Sequence, residues 1–251
     1  MRDNVRAFIA AAQAFRVRGP VYEFGSYQVE GQAELADLRG LFPGQRYVGC
    51  DMRPGPGVDR VEDLGRLRLP SGIARTVICV DTLEHVFEAR HGVDEMLRVL
   101  APGGVILLSA PFEFRIHAYP DDYWRFTPSA IDRLLAPLDA AIVGSQGVES
   151  CPHTVFGVGC KSPVSDRFLQ GIQPFLTTFQ DWLDGRGRAA GIRPLRRRLL
   201  SCLRSKAERR RERDLHSARF VIRLPSTETP ELAEDDHSYA DQHTGSRIDL
   251  I

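Results

Sequence analysis

Five short runs of consecutive apolar residues mark the first half of the chain, each set off by polar or helix-periodic sequence. "PVYEF" (20–24), "RYVGCD" (46–51), "RTVICVD" (75–81) and "GVILLSAP" (104–111) predict strands, and "GVDRVED" (57–63) a shorter one. Unbroken apolar runs suit strands covered on both faces. Between them lie helical patterns. Residues 32–42 predict a helix stopped by Pro43-Gly44. Residues 88–100 carry Val93, Met96, Leu97 and Leu100 at helical spacing, and Pro102-Gly103-Gly104 is expected to end that helix. At the N-terminus Phe8, Ala11, Ala12 and Phe15 fall on one helix face. Thr127 is a plausible N-cap and Pro128 a first helical residue for a helix over 128–136. "DAAIVGSQGVE" and "HTVFGVGCK", joined by a short Pro-containing link, predict an antiparallel pair.

Strands alternating with helices argue for an α/β fold. The expected form is a Rossmann-like, doubly wound, seven-stranded and mostly parallel sheet, with an antiparallel last strand and a C-terminal helical extension. Ligands of such sheets bind beyond the carboxyl ends of the strands. That rule selects Glu23 and Gly25, then Asp51, Asp63, the stretch Asp81 to His85, and the chain from Pro111 onward. An acid at one strand tip is often only a loop solubiliser or cap; an acid at each of several adjacent tips is harder to explain that way. Asp51 lies 26 positions past Gly25, near the spacing of about 20 at which an acid meets a ribose hydroxyl. Asp63 and Leu64 offer an acceptor and an apolar wall to an adenine edge. The first loop has no G-x-G-x-x-G, so a pyrophosphate cradle is poorly supported.

Composition narrows this picture only a little. The 251 residues carry 33 basic and 33 acidic side chains, so overall charge indicates no polyanionic partner. The N-terminal stretch is too charged for a leader or a membrane span. Cysteines 50, 79, 151, 160 and 202 include no C-x-x-C pair, which suggests neither a zinc site nor a disulfide framework. A cytoplasmic protein is expected. His85 and His91 share no cysteine partner, so no metal site is expected.

The stretch from Val21 to Pro128 resembles class I S-adenosylmethionine-dependent methyltransferases, of the type 11-like kind. It is nearest to bacterial members whose first loop reads like "EFGSYQVEG". "YVGCDMRPGPGVD", "VEDLGRLRLP", "VICVDTLEHVFE", "EMLRVLAPGGVILLSAPF" and "AYPDDYWRFTPSAI" follow in the family's order. The resemblance covers roughly the first 160 residues; "DTLEHV" together with "LRVLAPGG" carries most of its specificity. It implies S-adenosyl-L-methionine as cofactor. Glu23, Gly25 and Ser26 would line its methionine end, Asp51 with Met52 its ribose, Asp63 and Leu64 its adenine, and Asp81 would lie beside the pocket. Tyr27 and Glu30 depart from the common form, which has smaller residues or glycine there. Members with this loop and the "YPDDYWRFTP" segment are associated with surface-polysaccharide assembly.

The segment "FEFRIHAYPDDYWRFTP" (112–128) is the candidate acceptor wall. Tyr119, Tyr123 and Trp124 would flank a sugar or face the sulfonium, His85 and Arg125 would shape the pocket, and His117, Asp121 or Asp122 would remove a proton. The competing reading is a packed lid, with Trp124 and Phe126 buried, Arg125 paired to an acid, and Asp121-Asp122 capping a turn. The acceptor expected is a small molecule or saccharide.

Beyond Lys161 the composition changes, and the expected organisation is 1–163 methyltransferase domain, 164–225 helical Arg-rich extension, and 226–251 acidic disordered tail. Residues 164–185 predict an apolar-faced helix interrupted at Pro174, and "SARFVIRLP" (217–225) an added edge strand. Residues 186–213 predict a basic amphipathic helix. Three readings compete for it: a solvated face, an anionic membrane surface at the inner face, or RNA. A non-catalytic binding module and an RNA methyltransferase stand as the alternative functions, and oligomeric state is open.

Overall fold

The structure, a computed structural model, describes residues 2–31, 33–117, 121–186, 217–225 and 248–250. The strands are β1 (Val21–Phe24), β2 (Tyr47–Asp51), β3 (Arg60–Val61), β4 (Ala74–Val80), β5 (Leu100–Pro111), β6 (Ala140–Val148), β7 (Cys151–Cys160), β8 (Ala218–Arg223) and β9 (Ile248–Leu250). They form one sheet in the order β3-β2-β1-β4-β5-β7-β6-β8-β9. The pairs from β3 through β5 are parallel, and β7 is antiparallel to both β5 and β6. The chain starts at β1 in the middle, runs outward to β3, then returns to β4 on the other side. The order therefore reverses between β1 and β4, which is where such a sheet opens a crevice.

Two apolar layers cover the sheet, and strand alternation divides residues between them. On β4, Ile78 and Val80 join one core while Val77 and Cys79 join the other; on β5, Val105 and Leu107 oppose Ile106 and Leu108. The first layer is made by α1 (Asp3–Ala11), the 3₁₀ turn that follows it, and α5 (Asp166–Leu183). Phe8 stacks on Phe156 at 4.7 Å, and Phe15 on Phe168 at 4.8 Å. The second layer is made by α3 (Ala89–Val99) and α4 (Pro128–Leu134). Thr127 caps α4 as expected, its hydroxyl accepting from the Ala130 N–H, with Pro128 following.

The structure departs from expectation in five places. Among the described residues the sheet has nine strands, not seven, because β8 pairs antiparallel with β6 and β9 with β8. The helix expected over 32–42 shrinks to α2 (Ala33–Ala36) and a 3₁₀ turn at Arg39–Leu41. The helix before β5 stops at Val99, ahead of the Pro-Gly-Gly stop, because Leu100 already pairs with Ala74. α5 runs unbroken through Pro174, which is exposed while Ile172, Phe175, Phe179 and Leu183 are buried. On that outer side the carbonyl that proline leaves without a donor is open to solvent, so packing of the inner face outweighs the lost bond. Residues 248–250 of the expected disordered tail instead form β9. The remainder of that tail lies outside the described residues. So does the basic helix expected over 186–213, apart from Arg186, which pairs with Asp181 and Asp184. α5 and β8 share the first apolar layer with α1, Phe220 of β8 packing against Phe175 and Phe179. Among the described residues no helix is long and apolar enough to cross a membrane.

Candidate functional site

The carboxyl ends of β1, β2 and β4, with the chain after β5, enclose a cavity of about 860 Å³, within the range of roughly 300–1,000 Å³ usual for small-molecule clefts. Glu23, Gly25, Ser26, Asp51, Met52, Asp63, Leu64, Asp81 and His85 all line it. The strand register explains the convergence. Glu23 is level with Gly49 of β2 and Ile78 of β4, so the tips of the three strands end side by side.

Gly25 turns the chain at φ +86, and its N–H donates to the Cys50 carbonyl at 2.8 Å. A Cβ there would lie 2.0 Å from the Thr82 hydroxyl oxygen, so the residue is glycine both for its conformation and for the close approach of the β4 loop. Glu23 is buried and accepts from the Tyr47 hydroxyl at 2.7 Å. Burial pushes its carboxyl up to about 7, against the lowering pull of that hydrogen bond. Ser26 is buried, and its hydroxyl has no hydrogen-bond partner among the described residues.

Asp51 accepts the Tyr27 N–H at 3.3 Å on one oxygen and the Arg53 N–H at 3.1 Å on the other. Each oxygen keeps a lone pair, enough for the two hydroxyls of a ribose diol. Tyr27, the bulkier residue of the first loop, does not plug the hollow. Its ring stacks under the Arg53 guanidinium at 4.5 Å and lies against Gly55, where a Cβ would come within 2.3 Å of the ring. Asp63 turns its carboxylate back to the Gly65 N–H at 2.8 Å, and Leu64 is buried beside it. These residues fit an adenosine-bearing cofactor: carboxylates with spare acceptor capacity, an orphan buried hydroxyl and an apolar wall meet in one hollow of suitable size.

Asp81 sits at φ +47 and is held from three sides. Its N–H donates to the Ser109 carbonyl at 3.0 Å, the Ser109 hydroxyl donates to its carboxylate at 3.2 Å, and Arg2 donates to both its oxygens. Arg2 also lines the cavity. The sequence carried no signal for it: the residue lies in charged N-terminal chain and meets Asp81 only through the docking of α1. Glu84, inside the selected stretch Asp81 to His85 but given no role there, also lines the cavity and is fully buried with both carboxylate oxygens lacking a hydrogen-bond partner among the described residues. Burial first, and the Asp81 charge second, raise its carboxyl well above the usual range.

The acceptor-side residues divide. His85, His117 and Tyr123 line the cavity, with Phe87 and Phe114 beside them. Asp121, Asp122, Trp124 and Arg125 are not in its lining, and Tyr119 lies outside the described residues. Asp122 does not suit the proton-removing role expected of it. Arg125 grips it through both nitrogens, at 2.5 and 2.8 Å, and the His117 N–H donates to it at 2.8 Å. The Arg125 hydrogen bond, foremost, holds its carboxyl far below the usual carboxylate range. Asp121 accepts from the Tyr123 hydroxyl at 2.9 Å, and its carbonyl meets the Nδ1 of His85 at 2.6 Å. The indole of Trp124 donates to the Val86 and Phe87 carbonyls, and the backbone N–H groups of Tyr123 and Trp124 both donate to the Glu84 carbonyl. Residues 121–126 therefore form a strap fastened to the turn after β4. Phe126 is buried, Trp124 and Tyr123 exposed. The fold also brings together Glu84, His85 and His117, a potential metal-ligand group that sequence spacing did not suggest.

Residues 33–108 match the family model described as a methyltransferase domain. No curated protein matches the chain significantly. Among solved structures it is similar to the YcgJ protein from Bacillus subtilis, at 14% identity and a TM-score of 0.48, over 64% of this chain and 99% of that one. It is also similar to a 1,6-didemethyltoxoflavin-N1-methyltransferase from Burkholderia thailandensis with bound S-adenosylhomocysteine, at 17% identity and 0.47, over 63% and 79%. A third similar structure is an S-adenosylmethionine-dependent methyltransferase from Thermotoga maritima, at 14% and 0.44, over 63% and 92%. Residues 33–108 are thus similar to a methyltransferase domain, and the hollow they help to form fits an adenosine-bearing cofactor such as S-adenosylmethionine.

Proposed function

We propose that this methyltransferase transfers the methyl group to a small, saccharide-like acceptor that enters over the aromatic rim of the cavity. The observation that carries the reading is the convergence of Glu23, Asp51 and Asp63, from the tips of β1 and β2 and the loop after β3, on one hollow bordered by Phe87, Phe114 and Tyr123. Bound S-adenosylmethionine supplies a methyl group on a sulfonium, already activated for displacement. The protein's task is then to hold the acceptor in line and keep water out. Asp51 holds the ribose diol and Leu64 the adenine face, with Met52 over them. Glu23, Gly25 and Ser26 take the methionine end, and Asp81, fixed by Arg2, closes the floor. Tyr123, on the cavity wall, offers a ring of the kind that packs on sugars.

We assign the work to the cytosol, a reading supported by the unpaired thiols of Cys50, Cys79, Cys151 and Cys160. Titration calorimetry with S-adenosylhomocysteine tests the site. One equivalent should bind, and Asp51→Asn should weaken binding about tenfold or more, the cost of degrading charge-assisted hydrogen bonds. Undiminished affinity in that variant would overturn the cofactor map. Mass shifts across a panel of hydroxylated small molecules and sugar nucleotides then test the acceptor.

A further inference from the structure

Glu84, His85 and His117 each offer a ligand atom, and the three atoms lie within 4.8 Å of one another on the cavity wall. Glu84 is the unusual member. The other carboxylates around it are matched to cations, Asp81 by Arg2 and Asp122 by Arg125. Glu84 has only the His85 Nε2 at 3.8 Å, too far for a hydrogen bond. A buried carboxylate with no partner is costly unless something outside the chain satisfies it.

The two imidazoles are already oriented for ligation. The Nδ1 of His85 faces the Asp121 carbonyl at 2.6 Å, and the Nδ1 of His117 faces Asp122 Oδ2 at 3.0 Å. With Nδ1 carrying the proton toward an oxygen, Nε2 carries the lone pair. Metal-binding histidines are held this way, by a carbonyl or carboxylate behind the ring. The rings meet edge to face with centroids 4.8 Å apart.

The geometry points to a divalent first-row metal site built from Glu84, His85 and His117, open on the cavity side to an oxygen of the methyl acceptor. Two imidazoles and one carboxylate, with a position left open, is the ligand count of catalytic rather than structural ions. Donors around an ion with bonds of about 2.0–2.2 Å sit about 3.4 Å apart in a tetrahedron. The present separations, within 4.8 Å, must shorten by up to about 1.4 Å to reach that spacing. His117 borders the exposed chain after β5, which leaves it room to turn.

The site deepens the proposed function and rests on it in one respect: the ion's open position selects an acceptor that bears a hydroxyl. The acceptor O–H loses its proton to solvent water as the ion stabilises the oxygen. That oxygen's electron pair forms the bond to the methyl carbon, the carbon–sulfur bond breaks, and its electrons stay on sulfur as a neutral thioether.

The test uses the full chain, stripped with chelator and dialysed, with Co²⁺ and Mn²⁺ as probes. One equivalent of Co²⁺ should bind by calorimetry and produce visible d–d absorption with imidazole ligation. Glu84→Gln and His117→Ala should each weaken that binding at least tenfold and remove the absorption, while circular dichroism stays that of the parent. His117→Ala alters a partly exposed loop residue, so it remains informative if Glu84→Gln fails to fold. Absence of stoichiometric binding, or equal binding by the His117 variant, overturns the site. S-adenosylhomocysteine titrated into the same samples separates the two readings. Product cofactor bound without Co²⁺ leaves the methyltransferase reading standing and sinks the metal site; Co²⁺ bound without product cofactor does the reverse.

Discussion

The guanidinium of Arg2 donates to both oxygens of Asp81, at 2.9 and 3.4 Å, across 79 positions of chain. The contact ties the start of α1 to the loop that follows β4, and both partners are mostly buried. Asp81 in turn holds a left-handed backbone conformation that few non-glycine residues adopt. Arg2→Ala leaves that carboxylate with Ser109 alone. It should lower stability by about 1–3 kcal/mol, read as a shift in urea midpoint, and weaken S-adenosylhomocysteine binding as well. Arg2→Lys should recover only part of this, because an ammonium cannot span both oxygens.

Gly25→Ala combines two separable faults. Its φ of +86 strains any side chain, and the new methyl would sit 2.0 Å from the Thr82 hydroxyl oxygen. A loss of about 1–3 kcal/mol is expected. The double variant Gly25→Ala, Thr82→Ala removes the two nearest clashing atoms, at 2.0 and 2.7 Å, but keeps the Thr82 Cβ at 2.8 Å and the backbone strain. Chemical denaturation should therefore show partial recovery relative to Gly25→Ala alone.

Glu23 gives the chain a pH signature. Its carboxyl stands near 7 in the fold against an ordinary 4.5, because burial disfavours the charge. The protonated form is thus the one the fold favours. The contribution is fully present below about pH 4.5 and is lost as pH rises through about 7, a difference of about 3 kcal/mol. Glu23→Gln, neutral throughout, should flatten that portion of the stability profile. With Glu23 at the methionine end as proposed, the cofactor's ammonium favours the ionised carboxylate, so affinity for S-adenosylhomocysteine should rise between about pH 6 and pH 8 in the parent and stay level in the variant.

Gly55 is what lets the first loop carry a tyrosine. A methyl at that position would overlap the Tyr27 ring at 2.3 Å, displacing the ring from its present seat. Gly55→Ala should weaken S-adenosylhomocysteine binding several-fold, and adding Tyr27→Ala should restore part of it, since the φ of +155 at position 55 still strains a side chain. Calorimetry on the single and double variants decides between this and a merely local effect on the loop.

The parts of this architecture with a local cause were legible in the sequence. Apolar runs located the parallel strands, Thr127-Pro128 located a helix start, and acids at strand tips located the cavity. What failed had a distant cause. Pro174 argued locally for a break, but the buried ring face formed by Phe168, Phe175 and Phe179 keeps α5 whole. Arg2 and Glu84 matter through partners, or the want of them, that only folding brings near. His85 and His117 shared no motif spacing, yet the chain after β5 folds back until their rings touch. Asp122 looked like a base and is spent on Arg125.

The strap of residues 121–126, fastened to the turn after β4 through the Glu84 carbonyl and the Trp124 indole, separates two jobs along the chain. One half of the cavity, to which the proposed function assigns the methyl donor, is carved from the tips of the central strands, whose positions the whole sheet dictates. The other half, proposed for the acceptor, draws on the chain after β5 and the turn after β4, on the outside of that frame. Selectivity can therefore evolve, or be transplanted, by exchanging those segments while the scaffold beneath is left as it stands.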